Sequence, residues 1–113
     1  MEIETLLAQA ESKTLEFKRD LSSLEPILKT IIAFANTAGG TLLIGRSEQG
    51  ALFGIQDVFR AEEALVNSIS DNIRPPILPE IEIATVSGKD FLVVKVSHWK
   101  GPFYLKKDRK SVV

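Results

Sequence analysis

The chain predicts an α+β fold. A two-layer domain is expected, with two long helices on a mixed, mostly antiparallel sheet, a short N-terminal helix, and the order β-α-β-β-α-β-β. Three observations predict it. Apolar residues recur at three- and four-residue steps over 24–35 and again over 59–73, as buried helical faces require. Two runs, 80–86 and 90–96, flank the hairpin turn Ser87-Gly88-Lys89, and the first alternates apolar and polar residues. The apolar run Thr41-Leu42-Leu43-Ile44 follows a polar, glycine-rich turn and is too short for a helix, so it reads as a strand covered on both faces.

The elements follow in order. Ile3, Leu6, Leu7 and Ala10 make one face of a short first helix. Thr14-Leu15-Glu16-Phe17-Lys18 alternates, so Leu15 and Phe17 are expected inside and Glu16 and Lys18 outside. Ser23 is the expected cap of the first long helix, which leaves Pro26 in the first turn, where its missing donor costs nothing. Leu24, Ile27, Leu28, Ile31, Ile32 and Ala35 form its buried stripe. Asn36-Thr37-Ala38-Gly39-Gly40 ends it, since Asn and Gly tolerate positive φ. Residues 51–55 are expected to form a hairpin with 41–45 across a polar turn. Asp57 caps the second long helix, whose expected inner face is Phe59, Ala61, Leu65, Val66, Ile69 and Ile73. Arg74-Pro75-Pro76 stops it. After the 80–96 hairpin, residues 102–106 read as a last edge strand beginning at Pro102.

The 113 residues fit one domain, and 44% are hydrophobic, enough for a core. No run approaches the roughly 18 apolar residues of a membrane span, and the acidic, amphipathic N-terminus is not a secretory signal. The chain has no cysteine and one histidine, His98, which excludes a disulfide framework, thiolate metal sites and a histidine-based zinc site. A cytoplasmic protein is expected. Net charge is −1, but it is unevenly distributed. Residues 1–99 hold 9 basic and 14 acidic side chains, whereas Lys100, Lys106, Lys107, Arg109 and Lys110 stand against Asp108 alone at the end. Such a basic terminus contacts phosphates or is simply a solvated tail. The abrupt stop after Val113 suggests one domain excised from a longer protein.

Three sets of residues carry candidate chemistry. Residues 40–47 nearly match a phosphate-binding loop, with Arg46 in place of lysine. That motif needs its four intervening residues in a loop before a helix, and here they are the most strand-like run in the chain. Glu11 and Glu16, with Glu48 or Asp57 as a third acid, could hold a divalent cation for phosphodiester cleavage; the plainer reading is surface acids paired with Lys13 or Lys18. Lys18, Arg19 and Arg46 flank the strands around the first long helix. If those strands are neighbours, these cations are expected near the turn residues Asn36, Thr37, Gly39 and Gly40, whose amides would add donors for phosphate oxygens. Trp99, Phe103 and Tyr104 lie among lysines and could stack single-stranded bases, although Phe103 reads better as core.

The order and spacing of several pieces match a known family. Glu11-x4-Glu16-Phe17-Lys18, Ala33-Phe34-Ala35-Asn36-Thr37-x-Gly39-Gly40-Thr41-Leu42-Leu43-Ile44-Gly45, Gly50-x3-Gly54 and Ile73-x-Pro75 together resemble the Schlafen AlbA-type domain. The resemblance covers roughly residues 11–106. It implies an α+β domain that binds DNA or RNA. Its bacterial relatives are described as transcriptional regulators or as RecG-related proteins, which carry the domain ahead of others. Vertebrate Schlafen proteins include ribonucleases that use three acids. Glu11 and Glu16 match two of them, and Ser47-Glu48 stands where the third, an aspartate, is usual. The helicase label does not carry over, because the chain has no motor motif.

The expected function is therefore a non-enzymatic nucleic-acid-binding module, DNA before RNA, of a regulator or RecG-related protein. Lys18, Arg19, Arg46, Lys106, Lys107, Arg109 and Lys110 would hold phosphates, with no cofactor. Two alternatives are carried forward. One is a ribonuclease using Mg²⁺ or Mn²⁺ at Glu11, Glu16 and Glu48. The other is an interaction module, a homodimer for example, presenting an edge strand at 103–106.

Overall fold

The computed structural model describes residues 2–106. Its elements are α1 (Ile3–Leu7), β1 (Leu15–Lys18), α2 (Leu24–Asn36), β2 (Gly40–Ile44), α3 (Val58–Asn72), β3 (Ile73–Arg74), β4 (Glu80–Val86), β5 (Lys89–Val96) and β6 (Tyr104–Leu105). The expected α+β class holds: a mixed four-stranded sheet and two long helices, with a second sheet of two short strands.

The main sheet has the order β1-β2-β5-β4. β1 and β2 are parallel, with Leu15 opposite Thr41 and Lys18 opposite Ile44. The other two pairings are antiparallel. A crossover helix between neighbouring strands returns the chain to its starting end, so β1-α2-β2 must be parallel. β2 is the inner strand of this unit, and its Leu42, Leu43 and Ile44 are all fully buried.

Side chains separate by face. Leu42, Ile44, Leu92, Val94 and Val96 pack under α2 and α3, against Ile27, Leu28, Ile31, Leu65 and Ile69. Leu15, Phe17, Leu43, Phe91 and Val93 form a smaller cluster on the other face, closed by Leu6 and Leu7 of α1. Ser23 is the N-cap of α2, as expected, although its side chain makes no capping bond. Asp57 caps α3 by accepting from the Arg60 amide.

Three expectations change. Residues 51–55 do not form a strand ladder with β2; β1 and β5 already occupy both of its edges, and a single bridge, Arg46 to Leu52, is what remains. On α3 the buried stripe is Val58, Leu65 and Ile69, while Phe59 and Val66 are 73% and 46% exposed. Leu65 and Ile69 are buried as expected, and Val58, two turns before Leu65, completes their stripe where Phe59 and Val66 lie about 100° around the helix from it. The terminal strand β6 does not extend the main sheet: it pairs with β3 in a separate two-stranded sheet, and Phe103 and Leu105 are buried.

Candidate functional site

The sheet direction decides which candidate residues meet. Lys18, Arg19 and Arg46 follow the C-terminal ends of β1 and β2. The 36–40 turn precedes β2 and lies at the opposite end. Four steps of strand at about 3.3 Å each separate the two ends by about 13 Å. The expected single surface joining these cations to that turn is therefore corrected: an antiparallel β1 would have brought Lys18 and Arg19 to the turn, whereas Arg46 lies beyond the far end of β2 whichever way β1 runs.

The turn is also fully engaged elsewhere. The Thr37 and Gly39 amides both donate to the Phe34 carbonyl, and the Thr41 amide donates to Thr14. The Thr37 hydroxyl donates to the Ala33 carbonyl at 2.7 Å. Asn36 uses both ends of its carboxamide on Phe103, donating through Nδ2 to the carbonyl (3.1 Å) and accepting the amide on Oδ1 (2.8 Å). Gly39 has φ +79°, and a Cβ there would stand 2.7 Å from the Val96 carbonyl oxygen. Gly40 is packed against the Phe34 ring, which a Cβ would strike at 2.6 Å. These four residues thus close α2 and hold the 97–103 segment on it. His98 Nδ1 donates to the Ala35 carbonyl there, and Trp99, 57% exposed, projects beside it.

The acids have structural work. β1 is an edge strand, and the outward Phe17 amide donates to Glu11 Oε2 at 3.0 Å. Ser12 and Leu15 pair across the same edge, so the 11–15 segment blocks further strand addition. Glu16 and Lys18 are not fully outside, because they share the α2 face of β1 with Leu42 and Ile44. Glu16 Oε2 accepts from the Thr30 hydroxyl of α2 at 2.7 Å and pairs with Lys18 Nζ at 3.2 Å. Glu48 is exposed on the turn after β2. Among the described residues, no group of three or more His, Cys, Asp or Glu side chains is placed to hold a metal ion. The three acids therefore do not assemble the metal centre that a Mg²⁺ or Mn²⁺ nuclease needs.

At the other end of the sheet two of the cations, Lys18 and Arg19, line one cleft. A cleft of about 430 Å³ opens between the end of β1 and the turn after β2. Lys18, Arg19, Ser47, Gln49 and Phe53 line it, with Phe17 below and Glu48 as the acid among its lining residues. The Arg19 guanidinium lies over the Phe53 ring, 4.0 Å from its centroid. Gly45, at φ +124°, turns the chain out of β2, and the Arg46 guanidinium lies over the Phe17 ring at 3.7 Å. Arg46 is 7% exposed, and its Nε and Nη1 are buried without a hydrogen-bond partner among the described residues. The turn itself is tied down: the Ser47 amide donates to Ala51, the Ala51 amide to Ser47 Oγ, and the Phe53 and Gly54 amides to Gly45.

Beside the cleft, Asp20 accepts from the Ser22 hydroxyl at 2.6 Å and from its amide at 3.0 Å. Those two bonds, with the Arg19 charge nearby, hold its carboxyl below the usual carboxylate range. Lys106 is exposed and follows Leu105, which packs beside Leu24 and Leu28 of α2. Lys107, Arg109 and Lys110 lie outside the described residues.

Of the cations expected at the site, Lys18 and Arg19 line the cleft, and Phe17 and Phe53 join them without a signal in the sequence. Phe53 looked like an ordinary strand residue, and only tertiary packing brings it under Arg19.

Fold and site together define a small α+β domain: a β-α-β unit, continued by a helix and a hairpin, with a cationic and aromatic cleft at the strand ends. The chain belongs to the Schlafen, AlbA_2 family, whose profile matches residues 11–113. Among solved structures it is similar to the N-terminal domain of a "putative ATP-dependent DNA helicase RecG-related protein" from Nitrosomonas europaea. The two are 29% identical with a TM-score of 0.76, over 91% of this chain and 76% of the other. It also shares its fold with the DIP2311 protein from Corynebacterium diphtheriae, at 19% identity and a TM-score of 0.70. That match covers 94% of this chain and 23% of the other.

Proposed function

We propose that this domain binds nucleic acid, DNA in preference to RNA, as one module of a larger cytoplasmic transcriptional regulator or RecG-related protein. The observation that carries the reading is the cleft lined by Lys18, Arg19 and Phe53, with the Arg19 guanidinium over the Phe53 ring. Lys18 and Arg19 contact phosphate oxygens, which positions a strand without reading its bases. Phe53, 46% exposed, offers a ring face to a base beside the Arg19 stack. Lys106, Lys107, Arg109 and Lys110 add charge from the end of the chain. Family membership and the DNA-helicase name of the Nitrosomonas neighbour support the same substrate class.

Fluorescence-anisotropy titration of short DNA and RNA strands at two salt concentrations tests this reading. Binding should weaken with salt, and Lys18→Ala and Arg19→Ala should each reduce the slope of log K against log salt by about 1. No affinity at low salt defeats the reading, as does an unchanged slope in the double variant.

A second reading, an interaction module, rests on a different surface. Leu78 and Trp99 are 95% and 57% exposed around a groove formed with Pro75 and Pro76. A homodimer would use that surface. Sedimentation of the native chain beside Leu78→Ser tests it: a monomer in both rejects the dimer.

A further inference from the structure

Arg46 takes no part in contacts with phosphates lying on the surface, because its guanidinium is covered. It is the buried charged residue among those described. None of the ion pairs among the described residues includes it. Two of its three nitrogens lack an acceptor. A charge shut away from water with orphaned donors is an expensive way to cover a phenylalanine, and an apolar side chain would cover it better. The guanidinium is not among the groups that line the cleft but lies next to it. Phe17 lies beneath it, and a Cβ on Gly50 would stand 3.5 Å from Nη2. Gly50 sits between Gln49 and Ala51, which both line the cleft.

We infer that Arg46 is the receptor for a terminal phosphate, so that the cleft takes the phosphorylated end of a DNA strand. The inference rests on the nucleic-acid reading above and names the part of the strand that is bound. Access selects the end over the middle. A phosphodiester carries a sugar on each side and a single charge, so its oxygens stay at the rim with Lys18 and Arg19. A phosphomonoester has three free oxygens, a charge of about −1.5 to −2 at neutral pH, and nothing beyond it. It therefore projects inward. Nη2 shares one edge of the guanidinium with Nε and the other with Nη1, so either edge offers the two-pronged donor pair that fits a phosphate. The orphaned nitrogens are shielded from water, so arrival of the phosphate shifts the neighbouring 47–51 turn. That turn is flanked by Gly45 and contains Gly50, both at positive φ. The base next to the end then lies at Phe53.

The test uses the whole chain and one DNA sequence in three forms: 5′-phosphorylated, 3′-phosphorylated, and hydroxyl at both ends. Inorganic phosphate is added as a competitor, and affinity is read by anisotropy and by amide shifts of Gly45 and Gly50. One phosphorylated form should bind about tenfold or more tightly than the hydroxyl form, the range of one charge-assisted hydrogen-bonded contact. The shifts should appear with that form, and Arg46→Met should erase the preference. The unmutated protein alone decides the matter should the variant fold poorly. Equal affinity for all three forms overturns the inference and leaves nucleic-acid binding standing. Displacement by inorganic phosphate without any end preference also overturns it, in favour of a free-anion site. Absence of binding to every form defeats both readings.

Discussion

Replacing Arg46 by methionine should make the domain more stable, even though it removes a residue assigned to binding. Nε and Nη1 are buried without acceptors among the described residues, and each orphaned donor costs about 1–3 kcal/mol of desolvation. The stack on Phe17 returns about 0.5–2 kcal/mol. Methionine keeps an unbranched chain of similar reach and a favourable sulfur–ring contact, so it forfeits little packing. The net expectation is a gain of about 1–3 kcal/mol, within the range seen when buried charges give way to apolar residues. For a domain of this size that corresponds to a rise in Tm of about 5–15 °C. Urea unfolding followed by circular dichroism and by Trp99 fluorescence measures it, and coincident midpoints would confirm two-state behaviour. A loss of about 1 kcal/mol or more would refute the reasoning, since it would show that the guanidinium stabilises the turn it lies beneath. Arg46 would then need no ligand to explain it.

Asn36→Ala should lower stability by about 1–3 kcal/mol, because both of its bonds to Phe103 are lost. The same variant should leave oligonucleotide affinity unchanged, since Asn36 lies at the far end of the sheet; weaker binding would reinstate the turn as part of the site. Asp20 has its pKa lowered in the folded chain, so its contribution to stability is present above the ordinary value of 3.8 and is lost as pH falls through the lower folded value. Carboxyl carbon shifts in an acid titration should show that low midpoint, and Ser22→Ala should move it upward. Structured RNA incubated with Mg²⁺ or Mn²⁺ should show no cleavage that depends on Glu16; loss of a cleavage product in Glu16→Gln would restore the nuclease alternative.

Local order was legible in the sequence wherever one element sufficed to define it. The stripe of α2 needed only its own periodicity, and Ile27, Leu28, Ile31 and Ala35 are buried as that period requires. The 80–96 hairpin declared itself through alternation and its Ser87-Gly88 turn, where Ser87 and Gly88 both take positive φ. The limits appear on α3, where Leu65 and Ile69 were legible but the burial of Val58 in place of its neighbour Phe59 was not. A helix alone does not reveal which side will meet a sheet. Glu16 and Lys18 show the same limit on a strand: alternation sets them opposite Phe17, but only the nearness of α2 makes them half-buried partners of Thr30.

Composition and spacing settled the class of fold, the caps, the family and the inventory of cations, because each is a property of neighbouring residues. The assembled fold settled the direction of the strands, and with it which end of the sheet each cation reaches. It also decided that Arg46 is buried on Phe17 and that Phe53 lies under Arg19. Those contacts join residues far apart in the chain, and long-range packing, unlike periodicity, leaves no local signature.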